Sequence, residues 1–296
     1  MTLSVLLPIH NYVCLPLVSE LQRQAALLGI DYEIIVGDDG SSDQQAIEAN
    51  RKINTLSHCR LLEHKPNIGR AAIRNLLANE ASHEWLLFLD GDMQVDGDGF
   101  LSRYAAQMTA DNDVVDGGMR TASQPMLSHS NLRYMYERAE EPRHTAAARQ
   151  QQPYRSFRTT NFMVRRTVML TYPFDERFRH YGYEDVLFGK QLAAAGVKVA
   201  HIDNPLVLTD IEENIAFLKK TEEAMRTLNT FCNELHDYSR LLDFTQRMPR
   251  IARSLMRLWH RMAGNTERRW LAGSHPDMAV FKLYKLGYLL SLRQSS

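Results

Sequence analysis

The sequence predicts an α/β protein: a mostly parallel central sheet flanked by helices, followed by an all-helical C-terminal extension. Three observations predict it. Short apolar runs and helix-spaced segments alternate from residue 3 to residue 89, the order that strand–helix–strand units of a parallel sheet impose. The run Trp85-Leu86-Leu87-Phe88-Leu89 is apolar at every position and stops at Asp90-Gly91-Asp92, as a strand covered on both faces does. From about residue 212 onward the apolar spacing is helical throughout.

Each element has its own signal. Leu3-Ser4-Val5-Leu6-Leu7-Pro8 reads as the first strand, ended by a proline that cannot donate to a ladder. Leu15, Val18, Leu21 and Ala25 follow at helical spacing, with Gly29 as the stop. Tyr32-Glu33-Ile34-Ile35-Val36-Gly37 is the second strand, ending at Asp38-Asp39-Gly40-Ser41-Ser42-Asp43. A helix over about 44–56 and a strand at Arg60-Leu61-Leu62-Glu63 come next, then a helix over about 69–80 and the strand 85–89. Beyond these, a strand is expected at Asp113-Val114-Val115, a polar helix over about 131–150 and a strand at Asn161-Phe162-Met163-Val164. Glu184 and Asp185 open a helix that runs through Leu192 and Ala195 to Gly196.

Composition bounds the class. A chain of 296 residues with 44% hydrophobic and 24% charged residues buries a large core, which excludes a disordered chain. No apolar run reaches the length of about 18 residues that a membrane span needs. Met1-Thr2-Leu3-Ser4 enters a strand without the basic start of a secretory signal. Cys14, Cys59 and Cys232 form neither a metal-ligand spacing nor a disulfide framework, so a reducing cytoplasm is expected. Net charge is zero, yet residues 247–296 carry ten Lys/Arg against two Asp/Glu. A basic end on an acidic body points to an anionic partner for that end. Nucleic acid is not expected, because the body is acidic and no binding motif is present.

Four polar clusters fall at predicted strand ends: His10-Asn11 after Pro8, Asp38-Asp39-Gly40-Ser41, Asn67-Ile68-Gly69-Arg70 through Arg74-Asn75, and Asp90-Gly91-Asp92. Singly, each has a structural reading. Asp43 and Asn67 can cap helices, and Arg70 and Arg74 lie four apart on what can be a solvated face. Together they sit where open α/β sheets bind ligands, beyond the carboxyl ends of strands. Two carboxylates one residue apart repel each other unless a cation neutralises them. Mn²⁺ and Mg²⁺ prefer oxygen and bridge carboxylates to phosphates. A fifth cluster, His180-Tyr181-Gly182-Tyr183-Glu184-Asp185, surrounds two acids with aromatic rings. Those acids either favour a helix start through its dipole or supply a general base.

The ordered set Pro8-Ile9-His10-Asn11, Val36 through Ser41, Asn67-Ile68-Gly69 through Asn75, Asp90-Gly91-Asp92, and Phe174-Asp175-Glu176 through Glu184-Asp185 resembles family 2 glycosyltransferases of the GT-A fold. The resemblance implies a catalytic domain over 1–211, with a nucleotide-sugar half (1–119) and an acceptor half (120–211), and a helical extension over 212–296. It implies that Asp39 contacts the nucleotide base. It places Pro8, His10, Asn11, Asp38, Asn67, Gly69, Arg70, Arg74 and Gly91 around the nucleotide sugar. Asp90 and Asp92 would bind Mn²⁺ or Mg²⁺ with the diphosphate, Asp92 the more directly. Asp185 would activate the acceptor hydroxyl, oriented by Glu184. Gly182 through Gly189 is also similar to the acceptor-side motif of galactosyl- and N-acetylgalactosaminyltransferases. Many members carry a metal-ligand His after the last strand; here the segment reads Leu206-Val207-Leu208-Thr209-Asp210, with Asp210 as the oxygen ligand that would replace it. The Gln-x-x-Arg-Trp motif and membrane spans of processive members are absent, so transfer of one sugar is expected.

The expected reaction is metal-dependent inverting transfer from a UDP-type donor of Gal, GalNAc, Glc or GlcNAc to a saccharide or lipid-linked acceptor, in surface polysaccharide or glycolipid assembly. The alternative is a non-catalytic nucleotide-sugar sensor or scaffold subunit. A dinucleotide dehydrogenase would need Gly-x-Gly-x-x-Gly after its first strand, and a nucleotidyltransferase a Gly-rich basic loop; neither is present. In the C-terminal region Arg250, Arg253, Arg257 and Arg261 recur on one side of a helix and Ile251, Leu255, Leu258, Trp259 and Met262 on the other. Two readings stay open. Either residues 247–293 lie on an anionic membrane surface, or the apolar side packs on the protein or on a second copy and leaves the arginines in water.

Overall fold

The structure, a computed structural model, describes residues 1–293. In chain order the first half builds β1 (Thr2–Ile9), α1 (Leu15–Leu27), β2 (Asp31–Asp39), α2 (Gln44–Arg51), β3 (Cys59–His64), α3 (Arg70–Glu80) and β4 (Trp85–Leu89). Next come α4 (Phe100–Ala105), β5 (Val114–Asp116), β6 (Met119–Thr121), α5 (Leu132–Glu140) and α6 (Ala146–Gln150). They are followed by β7 (Asn161–Arg165), α7 (Arg166–Thr171), α8 (Glu184–Ala194), β8 (Val199–His201) and β9 (Leu206–Leu208). The tail is α9 (Asn214–Thr230), α10 (Arg240–Arg247), α11 (Arg250–Leu271) and α12 (Met278–Leu292).

Residue contacts divide the chain into two units. One comprises Met1–Arg120, Pro142–Arg179 and Phe188–Asp210; the other comprises Thr121–Glu141, His180–Leu187 and the chain from Ile211 onward. The units interleave, whereas the linear division expected from sequence cut the chain once, at 211/212.

The first unit holds a seven-stranded sheet in the order β3-β2-β1-β4-β7-β5-β8. β1 pairs in parallel with β2 on one side and β4 on the other. β7 runs antiparallel to both β4 and β5, and β5 and β8 are parallel. Chain connections leave β1 in one direction and β4 continues in the other, so the carboxyl ends of β1 and β4 flank a topological switch point, where ligands of such sheets bind. All five residues of β4 are buried, which explains its uninterrupted apolar run. α3 turns Ala71, Ile73, Leu77 and Ala78 inward.

Several short elements escaped sequence prediction. Among them α4, β6, α7 and β9 span six, three, six and three residues, too short to show a period. Two predicted helices are interrupted. After Arg51 the chain tightens to a 3₁₀ turn over Lys52–Thr55 that buries Ile53. The polar helix expected over 131–150 breaks at Glu141–Arg143, because Pro142 cannot continue an α-helix; Thr145 then caps α6, accepting from the Ala148 amide at 3.2 Å.

The second unit is helical, with a core of Leu132, Phe217, Leu218, Leu271, Phe281 and Tyr284. Asn214 binds its parts together: its Oδ1 accepts from the Leu132 amide at 2.6 Å, and its Nδ2 donates to the Ser130 and Gly273 carbonyls. Glu222 accepts from Arg268 at 2.6 Å and from the Tyr284 hydroxyl at 2.8 Å, joining α9, α11 and α12. The apolar side of the basic helix is not packed within the described residues of this chain. α11 buries Gly264, Glu267 and Leu271, while Ile251 and Met262 are each 76% exposed and Leu255, Leu258 and Trp259 are also in solvent. The apolar stripe faces out because the packed face runs along a different side of the helix.

Candidate functional site

The donor-side clusters meet through hydrogen bonds. Asp39, buried at the end of β2, takes the Ile68 amide on Oδ1 at 2.7 Å and the Gly69 amide on Oδ2 at 3.0 Å. Its own carbonyl accepts from Asn67 Nδ2 at 2.7 Å and from His10 Nδ1 at 3.0 Å. A carbonyl only accepts, so Nδ1 of His10 carries the proton, and Nε2 receives Asn11 Nδ2 at 3.0 Å. Gly40 holds φ at +71°, and a Cβ there would stand 2.7 Å from the Asn67 backbone nitrogen. The two loops therefore touch backbone to backbone, and only glycine permits it.

Asn11 adopts a positive φ of 52° and ties β1 to the start of α2. Its Oδ1 accepts from the Ser42 and Asp43 amides at 2.7 and 2.9 Å, and its amide donates to Ser41 Oγ at 2.7 Å. Asp38 accepts the Ser41 amide at 2.9 Å. Asp43 caps α2, accepting from the Gln45 and Ala46 amides. Asn67 does not cap α3; Gly69 stands at that position without a side-chain cap. Pro8 is half-buried inside β1, one residue before its end.

Arg70 and Arg74 part company. Arg70 is exposed, whereas Arg74 is 1% exposed and donates Nη2 to Asp90 Oδ1 at 2.8 Å. A solvated face for Arg74 is thus corrected: it reaches under the end of β4 and holds the first carboxylate of the Asp-x-Asp pair. Gly91 is a close-approach position, since a Cβ there would meet Ile9 Cγ2 at 2.5 Å. Asn75 brackets the Phe174 backbone, donating to its carbonyl and accepting its amide, both at 2.9 Å.

Asp92 is exposed and precedes Gln94, which exchanges two backbone hydrogen bonds with Val207 at 2.8 and 2.9 Å. This antiparallel bridge joins the segment that follows Asp92 to the one that precedes the exposed Asp210. Tyr12 senses both: burial first, then the charges of Asp210 and Asp92, raise its phenol above the ordinary value. Among the described residues no group of three or more His, Cys, Asp or Glu is gathered closely enough to hold a metal ion. The expected trio of Asp90, Asp92 and Asp210 is therefore not assembled as three ligands. Arg74 occupies one oxygen of Asp90, and Asp92 and Asp210 both act on the Tyr12 phenol. Sequence reasoning missed Tyr12 and Asn50, which accepts the Cys14 amide at 3.0 Å and donates to the Tyr12 carbonyl at 2.8 Å. Only the adjacency of Tyr12 to His10-Asn11 could have flagged it.

His201 has another employment. Its Nε2 donates to the Pro153 carbonyl at 2.9 Å and its Nδ1 faces Arg149 Nη1 at 2.8 Å. Arg149 is paired with the buried Asp116 at 2.7 Å. Burial holds the imidazole of His201 below its ordinary pKa, against the opposing pull of Asp116. Cys14 is inert as a nucleophile, because burial pushes its thiol up to about 12.

In the helical unit, Glu184 and Asp185 occupy the first turn of α8. Glu184 is buried, and Asp185 is half-buried with Oδ1 accepting the Val186 amide at 2.8 Å. The preceding turn is held by Glu223, which accepts from the Tyr181 amide at 3.2 Å. Burial, then the neighbouring Tyr136 and the charge of Asp185, raise the Tyr183 phenol far above its usual range. No described helix is long and apolar enough to cross a membrane.

A mostly parallel sheet with polar groups gathered at its switch point is the architecture of a GT-A glycosyltransferase, and the comparisons assign the chain to that class. The chain belongs to glycosyl transferase family 2, which it matches over residues 4–172. No curated protein matches it in sequence. In fold it is similar to residues 1–349 of S. aureus TarS in complex with UDP-GlcNAc, at 17% identity and a TM-score of 0.52, covering 100% of this chain and 93% of that one. It is likewise similar to the mannosyltransferase PcManGT from Pyrobaculum calidifontis in complex with GDP-Man and Mn²⁺, at 14% identity and a TM-score of 0.55, covering 99% of this chain and 88% of that one.

Proposed function

We propose that the chain moves one sugar from a nucleotide diphosphate sugar to a hydroxyl of a saccharide or lipid-linked acceptor, inverting the anomeric centre, in the assembly of surface polysaccharide or glycolipid. The observation that carries the donor half is the loop pair at the ends of β2 and β3, welded by Asp39 and opening beside Asp90-Gly91-Asp92. Support for the donor class comes from the fold neighbours, one bound to UDP-GlcNAc and another to GDP-Man with Mn²⁺. UDP-linked Gal, GalNAc, Glc and GlcNAc are the first donors to test, and GDP-Man is the control.

The donor set of Asp92 and Asp210 suits a hard divalent cation. Mn²⁺ or Mg²⁺ takes one or two carboxylates and completes its shell with phosphate oxygens and water. When bound, it would supply charge neutralisation for the departing diphosphate. The protein's own groups do the rest. Arg74 orients Asp90 and adds a fixed positive charge beneath the strand end. Asp39 and the amides it holds shape the base-side wall. Asp185 takes the acceptor proton, a step typically worth about 10²–10⁴-fold, and Glu184 orients the acceptor. The test is Asp185→Asn. Transfer falls to background while UDP binding stays within twofold; equal loss of both removes Asp185 from the role of base.

The exposed stripe of α11 supports a peripheral membrane position. Ile251, Leu255, Leu258, Trp259 and Met262 present about three turns of apolar side chains to solvent, with exposed Arg261 at the flank. Such a face inserts at the headgroup boundary of anionic lipid.

A further inference from the structure

The helical unit contains a cavity of about 550 Å³ whose lining includes Arg250, Arg253, Arg257, Arg293, Asn229 and Ser254. Four guanidinium groups share it. Among the described residues none of the four is paired with a carboxylate. Arg257 donates Nη2 to Ser254 Oγ at 3.1 Å, and its buried Nε has no hydrogen-bond partner among the described residues. Arg293 donates to Thr245 Oγ1 at 3.2 Å. Like charges gathered this way repel one another.

The position of two of them adds to the cost. Arg250 and Arg253 lie in the first turn of α11, which contains no acid and begins at Pro249 without a side-chain cap. That is the positive end of the helix dipole, where cations are disfavoured and anions welcomed. No ion pair among the described residues balances the arrangement. An anion would balance it, and the chemistry of the lining says which kind. Guanidinium forks bind phosphoryl oxygens bidentately, Asn229 offers a further donor, and the volume exceeds that of a single phosphate and suits a small organic ligand.

We propose that this cavity is a second anion site, which binds a phosphoryl group carrying at least two negative charges, separately from the nucleotide-sugar donor site. The source is a soluble phosphate ester or diphosphate, or the phosphate of a lipid headgroup. The cavity is not the headgroup side of the exposed stripe on the same helix. At about 100° per residue, the pocket arginines and the Ile251–Met262 stripe point about 150° apart around α11.

The experiment uses the full chain in EDTA, titrated calorimetrically with inorganic pyrophosphate at constant ionic strength, and in parallel with dihexanoyl phosphatidic acid. Wild type is expected to bind at least one of them saturably, and Arg253→Gln/Arg257→Gln to bind it at least tenfold more weakly. Binding of UDP with Mn²⁺ should be unchanged in that variant, which separates this site from the donor site. Arg253→Lys/Arg257→Lys, which keeps the charge and loses the forks, is the second variant should the first not fold, and it should fall between them. Tighter binding of pyrophosphate assigns a soluble source, and tighter binding of the lipid assigns a headgroup. No saturable binding of either probe, or equal affinity in wild type and variants, overturns the proposal.

Discussion

Asp39 offers the most quantitative test of the donor-side architecture. Replacing it with Ala strips the partner from two amides, those of Ile68 and Gly69. A buried donor left unpaired costs about 1–3 kcal/mol. Gly69 is buried and Ile68 only half so, and water recovers part of the second loss, so Asp39→Ala should cost about 2–4 kcal/mol. Asp39→Asn retains one acceptor but turns an N–H against an N–H and gives up charge assistance, for about 1–3 kcal/mol. The two units need not unfold together, so the probe must be local. Trp85 is buried in β4, whereas Trp259 and Trp270 of the helical unit are about half exposed. In a Trp259→Phe/Trp270→Phe background the remaining fluorescence reports the sheet alone during urea unfolding. The same variants should bind UDP at least about tenfold more weakly, since 1.4 kcal/mol already makes that factor. Equal stability of wild type and both variants, or a larger loss in Asn than in Ala, refutes the reasoning.

Two further outcomes are expected. Burial holds His201 below its ordinary 6.5, so beneath that pH the unfolded chain accepts a proton that the folded chain resists. Sheet-unit stability should therefore fall as pH drops from about 6.5 through the folded value, and His201→Gln should remove that slope; parallel urea midpoints for the two proteins down to about pH 5 would contradict it. For the exposed stripe, co-flotation with anionic liposomes should be strong for wild type and lost in Leu255→Ser/Trp259→Ser. No flotation of wild type, with concentration-dependent dimerisation that the same substitutions abolish, would assign the stripe to a second copy instead.

What the sequence made legible follows from physics that acts locally. β4 could be bounded at both ends because five buried apolar residues stop at a charge. Asp43 was readable as a cap because capping is a short-range property. Arg74 was not readable: a basic residue four after another looks solvated, and only the approach of α3 to β4 brings it under Asp90. Nor was the approach of Asp92 and Asp210 to one side chain, Tyr12, from distant segments that the bridge at Gln94 and Val207 joins. The outward turn of the apolar stripe on α11 also lay beyond periodicity, which finds an amphipathic face but not which face is packed.

The central claim is that Asp92, together with Asp210, holds a divalent cation that anchors the donor diphosphate. Calorimetric titration of UDP into wild type and Asp92→Asn, each with Mn²⁺ and with EDTA, tests it most directly. The account predicts that wild type binds at least about tenfold more tightly with Mn²⁺ than with EDTA, a difference of about 1.4 kcal/mol, and that Asp92→Asn loses this gain. Equal affinity with Mn²⁺ and with EDTA, or a full Mn²⁺ gain in the variant, would contradict it.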